Sequence, residues 1–279
     1  MTHLTINGRS THVQVLPPEG GAEGSTPQTV VLVHGMLTDS LASYYFTIAP
    51  VFAKAGVEVV MFDHRGHGKT DRTESGYRLE EVVDDLRLLL DALDRRGPVH
   101  LVGNSYGGTI AYAFALEHPD RVASVATIES EPPTGAWAAK MSVNLAKARR
   151  DLHKPGANAW IVARYGAHTA RLAKAALRLL DTTRIADEIP MSRTVADDAI
   201  AALPMPVLGI FGSKSDLAQQ APVIAGVITR GRSIVVPGRE HSVLVEEPAL
   251  CERVLITWVT TGELPAPDAT ASFREVRAG

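Results

Sequence analysis

Short apolar runs alternate with amphipathic segments along most of the chain. The runs are rich in valine and isoleucine, and their length, about four to eight residues, is typical of buried strands. They read TVVLVHG, VEVVMFDHRG, VHLVGNS, VASVATIES, PVLGIFG and RSIVVPG. Between the second and third runs, LEEVVDDLRLLLDALDRRG carries its apolar residues at helical spacing. This alternation predicts a mostly parallel sheet with helices on both faces.

The N-terminal end of the chain completes the predicted sheet, whereas the C-terminal end adds nothing to it. The N-terminal stretch MTHLTINGRSTHVQV alternates between apolar and polar residues and is expected to form a pair of strands. The segment PPEGGAEGSTPQ, residues 17–28, predicts an exposed turn before the first buried strand. With the six runs, the pair gives eight strands. The tail from about Gly262 is rich in Pro, Ala and Thr and is expected to fray.

One interval lacks any strand pattern. From Pro132 to Pro204 the sequence predicts several helices rich in Ala, Leu and Arg, interrupted at Pro155-Gly156 and at Pro190. An insertion after the sixth strand lies over the carboxyl ends of a parallel sheet, where ligands bind. We therefore expect a core formed by residues 1–132 and 204–279 and an all-helical cap formed by residues 133–203.

Composition and charge narrow the class of protein. The 279 residues are 45% hydrophobic and 21% charged with a net charge of −3, which is typical of a globular domain and too small to indicate binding to nucleic acid or to a membrane. The single cysteine, Cys251, cannot form an internal disulfide. No stretch reaches the roughly 18 to 20 apolar residues of a membrane span, and the N-terminus contains no apolar segment of a signal peptide. We expect a cytoplasmic protein.

A candidate nucleophile follows the third buried run. Gly103, Ser105 and Gly107 form the pattern G-x-S-x-G between the strand VHLV and the helical segment TIAYAFALEH. Glycines at these positions permit a sharp turn that exposes the serine, which is the geometry of a nucleophile elbow.

The pair His34-Gly35 at the end of VVLVHG, together with the elbow, resembles the α/β-hydrolase superfamily. That resemblance implies the α/β-hydrolase fold and an oxyanion hole made by the backbone N–H groups of Met36 and Tyr106. Each donor would contribute about 3 to 4 kcal/mol to stabilising the tetrahedral oxyanion. The segment FDHRGHGKT resembles a loop of the same family, and its Asp63, Arg65, His64 and His67 are expected to be structural.

The resemblance also implies a base and an acid, in the chain order serine, acid, histidine. His241, in VVPGREHSVLVEEP after the last predicted buried strand, occupies the place of the general base. Asp216, four residues after Gly212, is preferred as the acid, although the family's aspartate often falls three residues after the glycine. Glu129, at the end of the sixth strand, is the alternative acid, with Glu131 a more distant one.

The cap supplies candidate substrate contacts. Trp137, Met141, Trp160 and Tyr165 are expected to line an apolar pocket, and His34 is expected to border the substrate. Between Ala138 and Leu180 the cap has nine basic residues and one acid, a local charge of +8. A solvated helical surface explains this charge, and an anionic or carrier-linked substrate is the alternative.

These features predict a serine hydrolase that cleaves an ester, a lactone or a thioester. The segments HGMLTDSLASYYFTIAP and IESEPPTGAWAAKM are similar to those of α/β-hydrolases of polyketide pathways, which favours an acyl-chain, lactone or thioester substrate. Epoxide hydrolases and haloalkane dehalogenases of this superfamily use an aspartate where this chain has Ser105. The alternatives are hydrolysis of a carbon-carbon bond, acyl transfer or cyclisation by the same triad, and a receptor that binds ligand without turnover. No cofactor or metal ligand set is apparent in the sequence.

Overall fold

The β-branched runs form the strands of a single sheet in a computed structural model, which describes residues 2–20, 27–266 and 273–276. In these residues the sheet has nine strands in the order β1-β2-β4-β3-β5-β6-β7-β8-β9. The strands are β1 (Thr2–Ile6), β2 (Arg9–Leu16), β3 (Thr29–Val33), β4 (Glu58–Phe62), β5 (Val99–Asn104), β6 (Val122–Ile128), β7 (Val207–Gly212), β8 (Gly231–Val236) and β9 (Arg274–Val276). The six strands from β3 to β8 are parallel to one another.

Helices cover both faces of the sheet, so every residue of β3, β4 and β7 is buried. The helices are α1 (Ala42–Tyr45), α2 (Ala49–Lys54), α3 (Leu79–Ala92), α4 (Tyr106–Glu117), α5 (Gly135–His153), α6 (Ala157–Thr182), α7 (Ile185–Glu188), α8 (Asp197–Ala201), α9 (Gln220–Val227), α10 (Val243–Glu246) and α11 (Pro248–Thr261). Helices α3, α4 and α9 pack on one face, and α1, α2 and α11 pack on the other. The resulting two apolar layers hold the carboxyl ends of the parallel strands in fixed positions.

The edges of the sheet differ from the prediction at one end. Strands β1 and β2 form the expected antiparallel pair. The prediction of eight strands was wrong by one, because β9 pairs antiparallel with β8 in the segment that was expected to fray. Arg232 of β8 donates to the Glu275 carboxylate at 2.9 Å and so joins the two strands through their side chains as well. The rest of the predicted frayed tail, at 267–272 and 277–279, lies outside the described residues.

The interval between β6 and β7 is helical, as predicted. Helices α5 to α8 occupy it, with a short 3₁₀-helix at Ile189–Met191. The Thr134 hydroxyl accepts a hydrogen bond from the Trp137 N–H at 3.2 Å and caps α5. Pro155 and Gly156 separate α5 from α6, where the sequence predicted a break. The division of the chain into core and cap at 133 and 203 stays a prediction.

The helices of the described residues are short or too polar to cross a membrane, and none of them qualifies as a membrane span.

Candidate active site

Ser105 lies in the tight turn between β5 and α4. Its φ of 52° and ψ of −121° are strained for a residue with a side chain, and such strain is concentrated at functional sites. The glycines of the motif make the turn possible. A Cβ on Gly103 would lie 2.4 Å from the Gly107 carbonyl carbon, and one on Gly107 would lie 1.9 Å from the Val33 carbonyl oxygen. The sequence G-x-S-x-G therefore folds as the predicted elbow.

His241 reaches Ser105 from the loop after β8. Its Nε2 lies 3.1 Å from the Ser105 Oγ, a hydrogen-bond distance. The His241 side chain is 54% exposed, and it lines the same cavity as Ser105. The serine and the histidine, which are 136 residues apart in sequence, are thus brought into direct contact.

Glu129 lies on the other side of the imidazole. It follows the last residue of β6, and its Oε2 is 3.4 Å from the His241 Nδ1. The Glu129 side chain is fully buried, so its charge needs hydrogen-bond donors. The Gly212 N–H donates to Oε1, and the Ser215 hydroxyl donates to Oε2. The backbone at Glu129 has a φ of 50°, a second strained residue next to the elbow.

Asp216, the preferred acid of the sequence analysis, does not contact His241. It is exposed, and it makes no hydrogen bond or ion pair with any residue that the structure describes. The reason is a shift of one position in the loop after β7. The residue three positions after Gly212 is Ser215, whose side chain turns inward to Glu129. Glu131, the third candidate, forms an ion pair with Lys140 instead.

The backbone N–H groups of Met36 and Tyr106 are both free at the cavity that contains Ser105. Met36 and Tyr106 line this cavity, and within the described part of the chain neither N–H donates to a protein acceptor. The loop that contains Met36 approaches the nucleophile closely at Gly35, where a built Cβ would lie 3.6 Å from the Ser105 Cβ. The Tyr106 N–H belongs to the first turn of α4, where helical N–H groups have no partner in the helix.

Three buried histidines support the loop that contains Met36. The His34 Nε2 accepts from the His64 N–H at 3.0 Å, and the His67 Nε2 accepts from the Leu37 N–H at 2.8 Å. The His64 Nε2 lies 2.8 Å from the His34 carbonyl oxygen and donates to it. Burial lowers the pKa of all three rings, well below the usual value for His34 and His64, so each is neutral. His34 is fully buried and does not line the cavity, contrary to its expected contact with substrate.

The cavity at Ser105 has a volume of about 250 Å³ and lies between the sheet and α5. Of the predicted contacts, Trp137 and Met141 line it, whereas Trp160 and Tyr165 do not, being 61% and 56% exposed. The remaining lining residues are Leu37, Thr109, Glu129, Ser130, Glu131, Lys140, Asn144, Leu145, Ala148 and Leu217. Burial lowers the pKa of Lys140, whose ammonium forms an ion pair with Glu131.

Two contributions to this site were missed in the sequence. Leu145 and Ala148 continue the lining face of α5 at helical spacing from the predicted Trp137 and Met141, and this spacing was a signal that was available. Ser215 gave no signal, because a single serine in a loop is unremarkable until its partner is known. Among the described residues, no cluster of three or more His, Cys, Asp or Glu side chains could hold a metal ion.

Comparison with known proteins identifies the family. A family model described as alpha/beta hydrolase fold matches residues 28–184, more than half of the chain. Epoxide hydrolase B of Mycobacterium tuberculosis is 34% identical over 131 residues, which cover 45% of this chain and 35% of that protein. The 2-hydroxy-6-oxononadienedioate/2-hydroxy-6-oxononatrienedioate hydrolase of Paraburkholderia phymatum is 38% identical over 133 residues, which cover 44% of each. The chain therefore matches less than half of the length of these relatives.

A solved structure extends the likeness of the fold to nearly the whole chain. The enol-lactonase from Burkholderia xenovorans LB400 superposes with a TM-score of 0.72 at 18% identity, covering 93% of this chain and 100% of that one. At this identity the superposition supports the fold alone. Together with the family model, it places the chain in the α/β-hydrolase fold family.

Proposed function

We propose that this α/β-hydrolase is a serine hydrolase that cleaves an ester, a lactone or a thioester through an acyl intermediate on Ser105. The observation that carries the proposal is the continuous arrangement of Ser105, His241 and Glu129, at 3.1 Å and 3.4 Å, beside a cavity. A serine hydroxyl is a weak nucleophile until a base removes its proton, and an imidazole oriented by a carboxylate is such a base.

Each residue has a defined role in the proposed reaction. Glu129 accepts the His241 Nδ1–H and fixes the tautomer in which Nε2 is unprotonated. The Ser105 Oγ attacks the substrate carbonyl while Nε2 takes its proton, and the imidazolium then protonates the leaving group. Water, activated by the same imidazole, attacks the acyl carbonyl, and the released acid leaves Ser105 regenerated. The N–H groups of Met36 and Tyr106 stabilise the oxyanion of both tetrahedral intermediates.

The cavity favours a small, uncharged acyl group. Its volume of about 250 Å³ is below the roughly 300 to 1,000 Å³ typical of pockets for drug-sized ligands. Of the nine basic residues between Ala138 and Leu180, Lys140 alone is among the lining residues, and Glu131 neutralises it. Other basic residues of the cap are engaged at the surface, as in the ion pairs of Lys147 and Lys154 with Asp151. These pairs argue against a carboxylated acyl group inside the cavity.

Hydrolysis of a carbon-carbon bond is a second candidate, and the 38% identity to the oxononadienedioate hydrolase favours it. The same three side chains would serve both reactions, so the geometry does not separate them. The substrate of that relative carries two carboxylates by its name, whereas this cavity offers a single, already paired cation. We therefore place the hydrolysis of neutral esters and lactones first.

Labelling with a fluorophosphonate tests the nucleophile directly. Mass spectrometry of the digested protein should find the adduct on Ser105, and Ser105→Ala should abolish it, whereas Ser75→Ala, an exposed serine, should not. A panel of p-nitrophenyl esters, lactones, acyl thioesters and a vinylogous diketone then identifies the reaction. Butyrate esters should be hydrolysed faster than hemisuccinate esters. Absence of labelling, or turnover of the diketone alone, would overturn the proposal.

A further inference from the structure

The loop after β7 holds both oxygens of the buried Glu129 carboxylate. Oε1 accepts from the Gly212 N–H, and Oε2 accepts from the Ser215 hydroxyl. The oxygen bound by Ser215 is the one that lies 3.4 Å from the His241 Nδ1. The position of that oxygen relative to the imidazole therefore depends on a side chain outside the Ser105, His241 and Glu129 set.

Ser215 is itself fixed by two backbone contacts. Its N–H donates to the Gly212 carbonyl at 3.1 Å, and its Oγ accepts from the Leu217 N–H at 3.1 Å. A hydroxyl has a single proton to donate. Because the Leu217 N–H points at the oxygen, that proton is directed to Glu129. The hydroxyl thus acts as an oriented donor rather than a freely rotating one.

We propose that Ser215 is a positioning residue that fixes Glu129 against His241. The proposal rests on the proposed function, because it assigns Ser215 a part in orienting the general base. Asp216, although adjacent, is exposed and takes no part.

Removal of the hydroxyl tests this role. Ser215→Ala should lower kcat about tenfold with little change in KM, because the substrate cavity is untouched while the imidazole is less well oriented. The carboxylate that has lost a donor should hold the imidazolium more tightly, so the acid limb of the kcat/KM profile should move to higher pH. Ser215→Thr retains a hydroxyl and should restore both values. A profile that does not move in Ser215→Ala would refute the positioning role.

The outcomes separate this inference from the proposed function. Thermal unfolding verifies that each Ser215 variant is folded. A wild-type protein that neither labels at Ser105 nor hydrolyses the panel refutes the proposed function. An active wild type whose Ser215→Ala variant has unchanged kcat and pH profile refutes only the role of Ser215.

Discussion

Acidification from pH 7.5 to 5.5 should destabilise this protein through its buried histidines. His34, His64 and His67 are buried beside the loop that contains Met36, and burial lowers the pKa of each. The Asp63 carboxylate, 3.9 Å from the His34 Nε2, does not reverse this direction. A fourth ring, His100, is lowered by burial to a pKa of about 4.

The sign and size follow from proton linkage. All four native pKa values lie below the unfolded value of about 6.5. Above pH 6.5 both states are neutral, whereas below it the unfolded chain takes up protons that the native rings exclude, so stability falls as the pH falls. Between pH 7.5 and 5.5 the His100 ring, whose native pKa is about 4, costs about 1.3 kcal/mol. His34, His64 and His67 add losses of the same sign, and a loss of about 1 to 2 kcal/mol is already a large fraction of the stability of a domain.

Urea unfolding followed by tryptophan fluorescence at pH 7.5, 6.5 and 5.5 measures this loss. Partners lower the pKa of the Glu58 and Asp84 carboxyls below the ordinary values of 4.5 and 3.8, so their contributions to stability are lost only at pH values below this window. His100→Gln removes one titrating ring that has no part in the proposed reaction. It should reduce the loss of unfolding free energy by about 1.3 kcal/mol. An unfolding free energy that is equal or higher at pH 5.5 would refute the reasoning.

Two further predictions concern the elbow and the cavity. Gly107→Ala should destabilise the protein by about 2 kcal/mol or more, because its Cβ would lie 1.9 Å from a backbone oxygen, whereas Gly135→Ala, with nothing within 4 Å, should be neutral in the same urea assay. Met141→Ala should lower kcat/KM for a medium-chain ester about tenfold by removing apolar contact with the acyl group, while Trp160→Ala should change it less than twofold. Equal effects of Met141→Ala and Trp160→Ala would contradict the assignment of the pocket.

The fold was predictable where the apolar runs are long, and the prediction failed where a strand is short. Each buried run between Thr29 and Val236 became a strand, because an uninterrupted β-branched run is stable only when both of its faces are covered. Strand β9 has three residues, too few for an alternation to be recognised, and it exists because β8 would otherwise expose an unpaired edge. Trp160 was assigned to the pocket by residue type alone, and its place on the exposed surface depends on how α6 lies on α5.

The order of residues in the sequence left open which carboxylate lies beside His241. Strands β6 and β7 are parallel neighbours in which Ile128 pairs with Ile210, so carboxylates just beyond either strand arrive at the same edge of the sheet. Glu129 reaches His241 through a left-handed backbone that no pattern of residues announces. In the loop after β7, the side chain of Ser215 turns inward to Glu129, whereas that of Asp216, one position later, does not. A hydroxyl at that position stabilises a neighbouring carboxylate, whereas a second carboxylate would repel it. Positions 129 and 215 are therefore coupled: the buried Glu129 carboxylate favours a hydrogen-bond donor over a second carboxylate at position 215.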